Sequence, residues 1–238
     1  MQKIYAWKDG FRRLLVAFTA LFFPGGRYLF RVLAQVKGHL SPHEAVFLFW
    51  LACKAPGKGE VVEIGSFCGR STLCLAAGLR RRGEGRLYTI DPHVHGTEQG
   101  LLENLKLFGA CSLVEVVVGP SVSAALSWKK PVRMLFVDGN HELGNVVADV
   151  LAWGPHMEPG GFIVLHDSTS LSDLPGPKKA ARWLYSEKST YECAGTIGSI
   201  SWFRLKGTAL PWLPPQYGKS LIDRFLAVRK EWRKSPDV

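Results

Sequence analysis

Two periods of hydrophobic residues alternate along the chain from residue 42 onward. Short apolar runs predict buried strands, and longer segments with an apolar residue at every third or fourth position predict helices. The predicted strands are residues 60–65, 85–91, 112–119, 132–139, 159–167, 189–195 and 199–205. The predicted helices are residues 42–54, 70–82, 98–109, 120–127, 143–154 and 178–187.

Start and stop signals support two of these helices. Ser41 and Glu44 stand three residues apart around Pro42, which is the spacing of a capping box with proline at the first helical position. The helix at 70–82 is predicted to end with three arginines and Gly83, because basic residues and a following glycine favour a helix carboxyl end.

The order of these elements predicts the fold class. Strands that alternate with helices form parallel sheets through right-handed crossovers. Only a glycine-containing turn separates the last two strands, so one of them must run antiparallel. We predict an α/β, Rossmann-like fold: a mostly parallel seven-stranded sheet with helices on both faces and an antiparallel last strand.

Composition and charge divide the chain into three parts. Its 238 residues and mean hydropathy of +0.04 suit one globular domain. The net charge of +10 comes from the ends: residues 1–40 carry +6 and residues 204–238 carry +5. We therefore predict a basic amphipathic extension at 1–40, the domain at 41–205 and a basic tail at 206–238. A central region without excess positive charge argues against a nucleic-acid substrate.

The two basic ends leave two interpretations open. Residues 11–23 contain a ten-residue, largely apolar stretch after two arginines, too short to span a bilayer. They form either a helix that packs on the domain or on a second copy of the chain, or an interfacial helix on an anionic membrane, helped by the basic segment 221–234. Five cysteines without a CxxC pair indicate reduced thiols and a cytoplasmic protein.

Candidate chemistry lies where the predicted strands end, since ligands of open parallel sheets bind beyond the carboxyl ends of the strands. The first strand ends in "EIGSFCG", which spaces Glu63, Gly65 and Gly69 as E-x-G-x-x-x-G rather than as the G-x-G-x-x-G of dinucleotide enzymes. This looser acidic loop suits a ligand with an ammonium and a carboxylate group. A plain strand–turn–helix joint is the alternative.

The ends of the second and third strands carry residues that can bind further parts of the same ligand. Asp91 closes the second strand, where a carboxylate can accept both hydroxyls of a ribose. Gly119 and Ser121 follow the third strand, where they can face an adenine. An amino acid, a ribose and a base in this order describe S-adenosylmethionine.

The donor loop "EIGSFCGRS" resembles the "E-L-G-x-Y-C-G-x-S" loop of catechol O-methyltransferases. The chain is similar over about 42–205 to class I S-adenosylmethionine-dependent methyltransferases, in particular the small-molecule enzymes of the catechol and sugar- or macrolide-tailoring kind (Methyltransf_24-like). The resemblance implies that Gly65, Phe67 and Ser71 line the methionine half of the donor, Asp91 its ribose and Ser121 its adenine. The full predicted donor set is Glu63, Gly65, Ser66, Phe67, Gly69, Ser71, Asp91, Gly119, Ser121 and Asp138.

The resemblance also implies a metal site at the fourth and fifth strand ends. There "DGNH" begins with Asp138, and "HDS" comprises His166, Asp167 and Ser168. Carboxylates at these positions hold Mg²⁺ in the similar enzymes, and oxygen ligands suit this ion. Asp138, Asp167 and Ser168 are the predicted ligands, with His166 as an alternative. Serine replaces the usual asparagine, which leaves metal dependence open.

His141 stands where the similar enzymes carry a lysine base. An imidazole can take a hydroxyl proton near neutral pH, so we predict that His141, together with Asp138, is catalytic. The predicted function is methyl transfer to a hydroxyl of a small molecule, such as a sugar or glycoside. An RNA or protein methyltransferase, or a non-catalytic scaffold with this fold, is the alternative.

Overall fold

A seven-stranded sheet forms the centre of the fold. The computed structural model describes residues 25–187 and 190–206. The strands are β1 (Glu60–Ile64), β2 (Leu87–Asp91), β3 (Val114–Val118), β4 (Val132–Val137), β5 (Met157–Leu165), β6 (Tyr191–Ile197) and β7 (Ile200–Leu205). Within these residues the α-helices are α1 (Gly26–Gln35), α2 (Pro42–Lys54), α3 (Arg70–Arg82), α4 (Glu98–Leu107), α5 (Ser121–Ser127), α6 (Leu143–Trp153) and α7 (Pro175–Ser186).

The strand order is β3-β2-β1-β4-β5-β7-β6. Strands β1, β4 and β5 run parallel, and β7 is antiparallel to both of its neighbours, β5 and β6. The mostly parallel sheet with an antiparallel last strand is therefore confirmed.

The central strands end at the same level. Ile64 of β1 is paired with Val137 of β4, and Val137 is paired with Leu165 of β5. The residues that follow these three strands consequently emerge side by side. This register places the carboxyl ends predicted to carry chemistry at one edge of the sheet.

The described residues fall into two compact units. One contains most of the sheet with α5, α6 and α7, and comprises residues 55–65, 88–92 and 116–206 apart from the two that are not described. Its core joins the inner strands to these helices, with Phe203, Leu184 and Trp153 fully buried. Trp153 lies at the end of α6, and its buried indole holds this helix in the core. Truncation of the side chain would leave a large cavity there.

The other unit contains α1 to α4, in residues 25–54, 66–87 and 93–115. The close contact of α2 with α3 depends on Gly78, because a Cβ there would lie 2.3 Å from the carbonyl oxygen of Phe49. The guanidinium of Arg70, at the start of α3, donates hydrogen bonds to carbonyl oxygens of Leu33, Val36 and Leu40. The first turn of α3 is thus fastened to α1 and the segment after it.

Most predicted elements are observed within a few residues, and α2 and α3 have the predicted bounds. The Glu44 carboxylate accepts a hydrogen bond from the Ser41 backbone N–H at 2.8 Å, as a capping box requires. Helix α7 begins at Pro175 rather than at 178, since proline is tolerated in the first helical turn. Strand β5 begins at Met157 rather than at 159 because this residue pairs with Val132.

The predictions for residues 11–23 and 221–234 lie outside the described residues. They remain predictions, as do membrane contact, self-association and the three-part division of the chain. In the part of the chain that the structure describes, no helix combines the length and the hydrophobicity needed to cross a bilayer.

Candidate active site

Gly65 follows β1 and lies directly against the residue that follows β4. Its φ is +87°, and a Cβ on it would lie 2.2 Å from the carbonyl oxygen of Asp138. Its N–H donates to the Ile90 carbonyl, and the Asp138 N–H donates to the Ile64 carbonyl. Only glycine fits both this backbone angle and this close approach, which explains the first glycine of the loop.

Glu63 is fully buried in β1. The hydroxyl of Thr89 in β2 donates a 2.7 Å hydrogen bond to Oε2 of Glu63. The carboxylate is therefore held within the sheet, two residues before Gly65, and it orients the strand end from inside.

The loop that follows Gly65 is a tight turn into α3. The Gly69 N–H donates to the Ser66 carbonyl at 2.7 Å, and Gly69 itself adopts a φ of +90°. Phe67 has a φ of +47° and is 42% exposed, whereas Ser66 and Ser71 are buried. A phenylalanine in this backbone region is unusual, and strained residues of this kind cluster at ligand sites.

The ends of β2 and β3 are joined by one hydrogen bond, from the Gly119 N–H to the Asp91 carbonyl at 3.2 Å. The space beside the Gly119 Cα is open, since no atom lies within 4 Å of a Cβ built there. The Asp91 side chain is half-buried. Asp91 and Gly119 are therefore brought together, as their predicted roles at the ribose and the adenine of one donor require.

Ser121 is held by side chains of α6. Its hydroxyl accepts a 2.9 Å hydrogen bond from the Trp153 indole and also bonds to the Asp149 carboxylate. Burial raises the pKa of Asp149 to about 6, and the Ser121 hydrogen bond partly opposes this increase. No local sequence pattern indicates this network of hydrogen bonds. A donor adenine would therefore meet the backbone of Ser121 more readily than its hydroxyl.

Four titratable side chains meet beyond β4 and β5. The Nε2 atom of His141 lies 3.7 Å from Oδ1 of Asp138 and 3.3 Å from Oδ2 of Asp167. The Nδ1 atom of His166 lies 3.2 Å from the same Asp138 oxygen and 3.1 Å from the same Asp167 oxygen. His166 is buried, and the other three are partly exposed. We call these four residues the carboxylate–imidazole cluster.

His166 also contacts the turn between β6 and β7. Its Nε2 atom lies 3.2 Å from the Ser199 hydroxyl oxygen. The same turn accepts hydrogen bonds at the Ser199 carbonyl from the Ser168 N–H and at the Gly198 carbonyl from the Thr169 hydroxyl. The turn therefore braces the segment after β5 and fixes the ring of His166. Sequence reasoning missed Ser199, which lies 33 residues further along the chain.

The electrostatics of the cluster favour a positive charge at its centre. The carboxylates of Asp138 and Asp167 raise the pKa of His141 to about 9. The imidazoles of His141 and His166 hold the pKa of Asp167 well below its usual range. In the metal-free protein, the His141 imidazolium thus supplies the charge that two adjacent carboxylates require.

Ser168 has a structural position. It is buried, its hydroxyl donates to the Leu165 carbonyl at 2.8 Å, and that oxygen accepts from the Ser201 N–H at 2.8 Å. These bonds tie β5 to β7. The role of Ser168 as a metal ligand stays a prediction from the sequence resemblance, and the hydrogen bonds of its hydroxyl are structural.

The cluster fits a divalent cation. One oxygen each from Asp138 and Asp167 and a ring nitrogen of His141 lie within 4.8 Å of one another. The buried Nε2 atom of His141 makes no aligned hydrogen bond within the described residues, although two carboxylate oxygens are near it. Two carboxylate oxygens and an imidazole nitrogen that converge in this way are ligand atoms of the kinds that divalent cations bind.

Comparisons with known proteins agree with this fold. Residues 62–168 match the family model Methyltransf_24, a methyltransferase domain, and this segment contains every predicted site residue. Among solved structures, the chain is similar to the O-methyltransferase TomG of Streptomyces achromogenes, which is involved in tomaymycin synthesis and was solved with S-adenosylmethionine. Identity is 22% over 71% of this chain and 82% of that one, with a TM-score of 0.58.

Two further structures show the same fold. An O-methyltransferase of Bacillus cereus, bound to S-adenosylhomocysteine, is 21% identical over 77% of this chain and 93% of its own, with a TM-score of 0.61. The Podospora anserina methyltransferase PaMTH1 is 16% identical over 82% and 88% of the two chains, with a TM-score of 0.58.

The fold is that of class I S-adenosylmethionine-dependent methyltransferases, and the family match identifies a methyltransferase domain within the chain. Residues 62–168 are its methyltransferase domain, and the resemblance to the small O-methyltransferases that the donor loop indicated is confirmed.

Proposed function

We propose that the protein transfers a methyl group from S-adenosylmethionine to a hydroxyl group of a small molecule, with help from a divalent cation. The observation that carries this proposal is the convergence of Asp138, Asp167 and His141 beyond β4 and β5. Cation ligands beside a donor site suit the activation of a hydroxyl, because methyl transfer is an in-line displacement that needs an oriented oxygen.

On the donor side, the proposal assigns the ribose hydroxyls to Asp91 and the adenine to Gly119 and the backbone of Ser121. The hydrogen bond between the ends of β2 and β3 and the open space at Gly119 support these roles. Gly65 lets the donor approach the backbone, and Glu63 holds that strand end. The roles of Ser66, Phe67, Gly69 and Ser71 at the methionine half rest on the sequence resemblance.

On the acceptor side, Asp138 and Asp167 would hold the cation. When bound, a divalent cation lowers the pKa of an acceptor hydroxyl and orients its oxygen. The two carboxylates are prepared for a positive charge, since Asp167 stays ionised and both face one point. A sugar or glycoside acceptor is the finer form of the proposal, and it rests on the sequence resemblance alone.

The proposed role of His141 as a proton acceptor depends on the charge beside it. With a pKa near 9, its imidazole is already protonated at neutral pH in the metal-free protein. His141 can accept a proton at neutral pH only when a cation offsets the negative charge of Asp138 and Asp167 and so lowers its pKa. Activity that relies on His141 as a base would therefore need the cation twice: to activate the acceptor hydroxyl and to leave the imidazole neutral.

Calorimetric titration of S-adenosylmethionine in EDTA buffer tests the donor site. We expect saturable binding of one donor per chain, weakened at least roughly tenfold by Asp91→Ala because the ribose loses a bidentate partner. Asp173→Ala, at an exposed position, is the matched control. Absence of donor binding to the folded wild-type protein would remove the proposal and favour a scaffold.

A transfer assay with a labelled methyl group tests the acceptor class. Catechols, phenols and glycosides form one panel, and total RNA and a protein extract form the other, each with Mg²⁺, with Mn²⁺ and with EDTA. We expect label on a small hydroxyl compound and its loss with Asp138→Asn or Asp167→Asn. Label on RNA, with a steep dependence on salt, would instead establish the alternative substrate.

A further inference from the structure

The carboxylate–imidazole cluster has the imidazole of His141 at its more exposed side. His141 reaches it from the loop after β4, and the backbone of this loop packs against α7. A Cβ on Gly176 would lie 2.0 Å from the His141 carbonyl oxygen and 2.6 Å from the Leu143 nitrogen. The helix therefore contacts the backbone of this loop directly, so the loop has little freedom to move His141 away.

The His141 ring is turned toward the carboxylates. Its Nε2 atom is buried and lies 3.3 Å from Oδ2 of Asp167, although the side chain as a whole is 37% exposed. Solvent therefore reaches the outer part of the ring, while Nε2 faces inward. An imidazole nitrogen in this orientation is a ligand atom of the same kind as the two carboxylate oxygens.

His166 has a different position. One of its ring nitrogens faces the Ser199 hydroxyl and the other faces both carboxylates at 3.1 and 3.2 Å. His166 is buried and reaches the carboxylates from the protein interior, whereas the ligand atoms that converge within 4.8 Å of one another belong to Asp138, Asp167 and His141. We therefore count one nitrogen and two oxygens as ligand atoms.

Mixed nitrogen and oxygen ligands change which ion is preferred. Mg²⁺ prefers oxygen ligands and keeps several waters, whereas imidazole suits ions of the first transition row such as iron, nickel and zinc. Two carboxylates with an imidazole offer such an ion a charged, three-sided site. Replacement of the single nitrogen by oxygen would return the site to the set that Mg²⁺ prefers.

We propose that His141 is a ligand of the cation and that the site selects a divalent first-row transition ion in the range from iron to zinc over Mg²⁺. This inference rests on the cation-assisted function proposed above. It changes the ion predicted from the sequence, and it replaces the proposed role of His141 as proton acceptor, because a ring nitrogen bound to the ion cannot also take a proton.

The experiment uses the full-length protein, freed of metal, with Co²⁺ and Mg²⁺ as probes and without S-adenosylmethionine. Visible absorption reports Co²⁺ bound to nitrogen, and competition calorimetry gives both affinities. We expect one Co²⁺ per chain, bound at least roughly a hundredfold more tightly than Mg²⁺. His141→Asp should lower this ratio at least roughly tenfold, because all three ligand atoms are then oxygen.

His39→Asp is the matched control, since it makes the same change at an exposed position in the unit of α1 to α4. It should leave the ratio unchanged. If His141→Asp does not fold, as judged by circular dichroism, His141→Ala carries the test: Co²⁺ affinity should fall at least roughly tenfold and Mg²⁺ affinity should change little.

An unchanged ratio of affinities in His141→Asp, or equal losses for both ions in His141→Ala, would overturn the inference. These outcomes are separate from the donor titration. Absence of S-adenosylmethionine binding removes the proposed function even if Co²⁺ binds as described, whereas donor binding with a ratio insensitive to His141 removes only the assignment of this ligand.

Discussion

The Nε2 atom of His166 lies 3.2 Å from the hydroxyl oxygen of Ser199, and this contact links the turn between β6 and β7 to the carboxylates of the cluster. With this nitrogen held, the opposite nitrogen of the ring faces Asp138 and Asp167. Ser199 is thus placed to set the orientation of His166 without reaching the cluster itself.

Ser199→Ala should weaken cation binding by about tenfold to a hundredfold, the usual range for loss of a residue that orients metal ligands. The mutation removes one hydroxyl near a buried ring, so the melting temperature should change little relative to this loss. Calorimetric Co²⁺ titration measures the effect, and Ser112→Ala at an exposed position is the control. Unchanged Co²⁺ affinity would show that His166 is oriented by other contacts.

Gly65→Ala should destabilise the protein far more than Gly83→Ala. Both glycines have φ angles above +80°, so alanine costs about 1 kcal/mol of backbone strain at either position. Only Gly65 has a neighbour in the way, the Asp138 carbonyl oxygen at 2.2 Å, whereas nothing lies within 4 Å at Gly83.

Urea denaturation of the two variants measures this difference. The Gly65 variant should lose an additional 2 kcal/mol or more, roughly, because β1 and β4 must separate locally. It should also lose donor binding. Equal losses of stability in the two variants would mean that the strand ends adjust without cost and that the close approach has no energetic consequence.

Asp149→Asn should raise stability at alkaline pH and leave it unchanged at acidic pH. Burial raises the pKa of Asp149 from its ordinary value near 4 to about 6, so the folded protein binds a proton that the unfolded chain releases in this interval. The free energy of unfolding therefore falls as pH rises from about 4 to about 6, and the deficit remains above that range. Two pKa units correspond to about 3 kcal/mol.

Thermal denaturation at pH 4.0 and pH 8.0 measures this effect. At pH 8.0 the asparagine variant should melt several degrees above the wild type, since its amide is neutral and can still bond to Ser121. The matched variant Asp173→Asn, at an exposed site, should melt with the wild type at both pH values. A lower melting temperature for Asp149→Asn at pH 8.0 would contradict the raised pKa.

The metal-free protein should lose stability between about pH 6.5 and pH 9 through His141. Its pKa is raised when the chain folds, so its contribution is complete below the unfolded value near 6.5 and disappears as pH rises through about 9. Urea denaturation in EDTA at pH 6.0 and pH 9.5 measures the difference. His141→Gln should reduce it, and His39→Gln should not. An equal pH dependence in wild type and His141→Gln would exclude this source.

The sequence was sufficient to predict elements whose ends carry local signals. Helix α3 is bounded by Gly69 and Gly83, both with positive φ, and its predicted bounds agree with the structure. The beginning of β5 was harder to predict from the sequence. Met157 joins the strand because it pairs with Val132, and the local hydrophobic pattern does not indicate this. Signals within one segment predict that segment, whereas pairing between strands depends on the whole sheet.

In the site, too, local sequence signals predict some residues, and contacts between distant segments determine the others. Asp138 and Asp167 could be selected because they stand at the ends of predicted strands, and His141 because it lies three residues after Asp138. The contact of His166 with both carboxylates depends on the register of β4 against β5, which no local pattern contains. Ser199 and the bonding of Ser121 to α6 arise from chain segments that are distant in sequence. Strand-end reasoning finds reactive groups and misses the residues that hold them in place.

The three carbonyl groups bound by Arg70 have a consequence for how the protein can be shortened. A chain cut to begin at residue 41 would keep the whole segment that matches the family model, yet Arg70 would lose Leu33, Val36 and Leu40 as acceptors. Its guanidinium stands at the first residue of α3, immediately after the glycine loop. The smallest piece that preserves this loop therefore extends upstream of the matched segment to include α1.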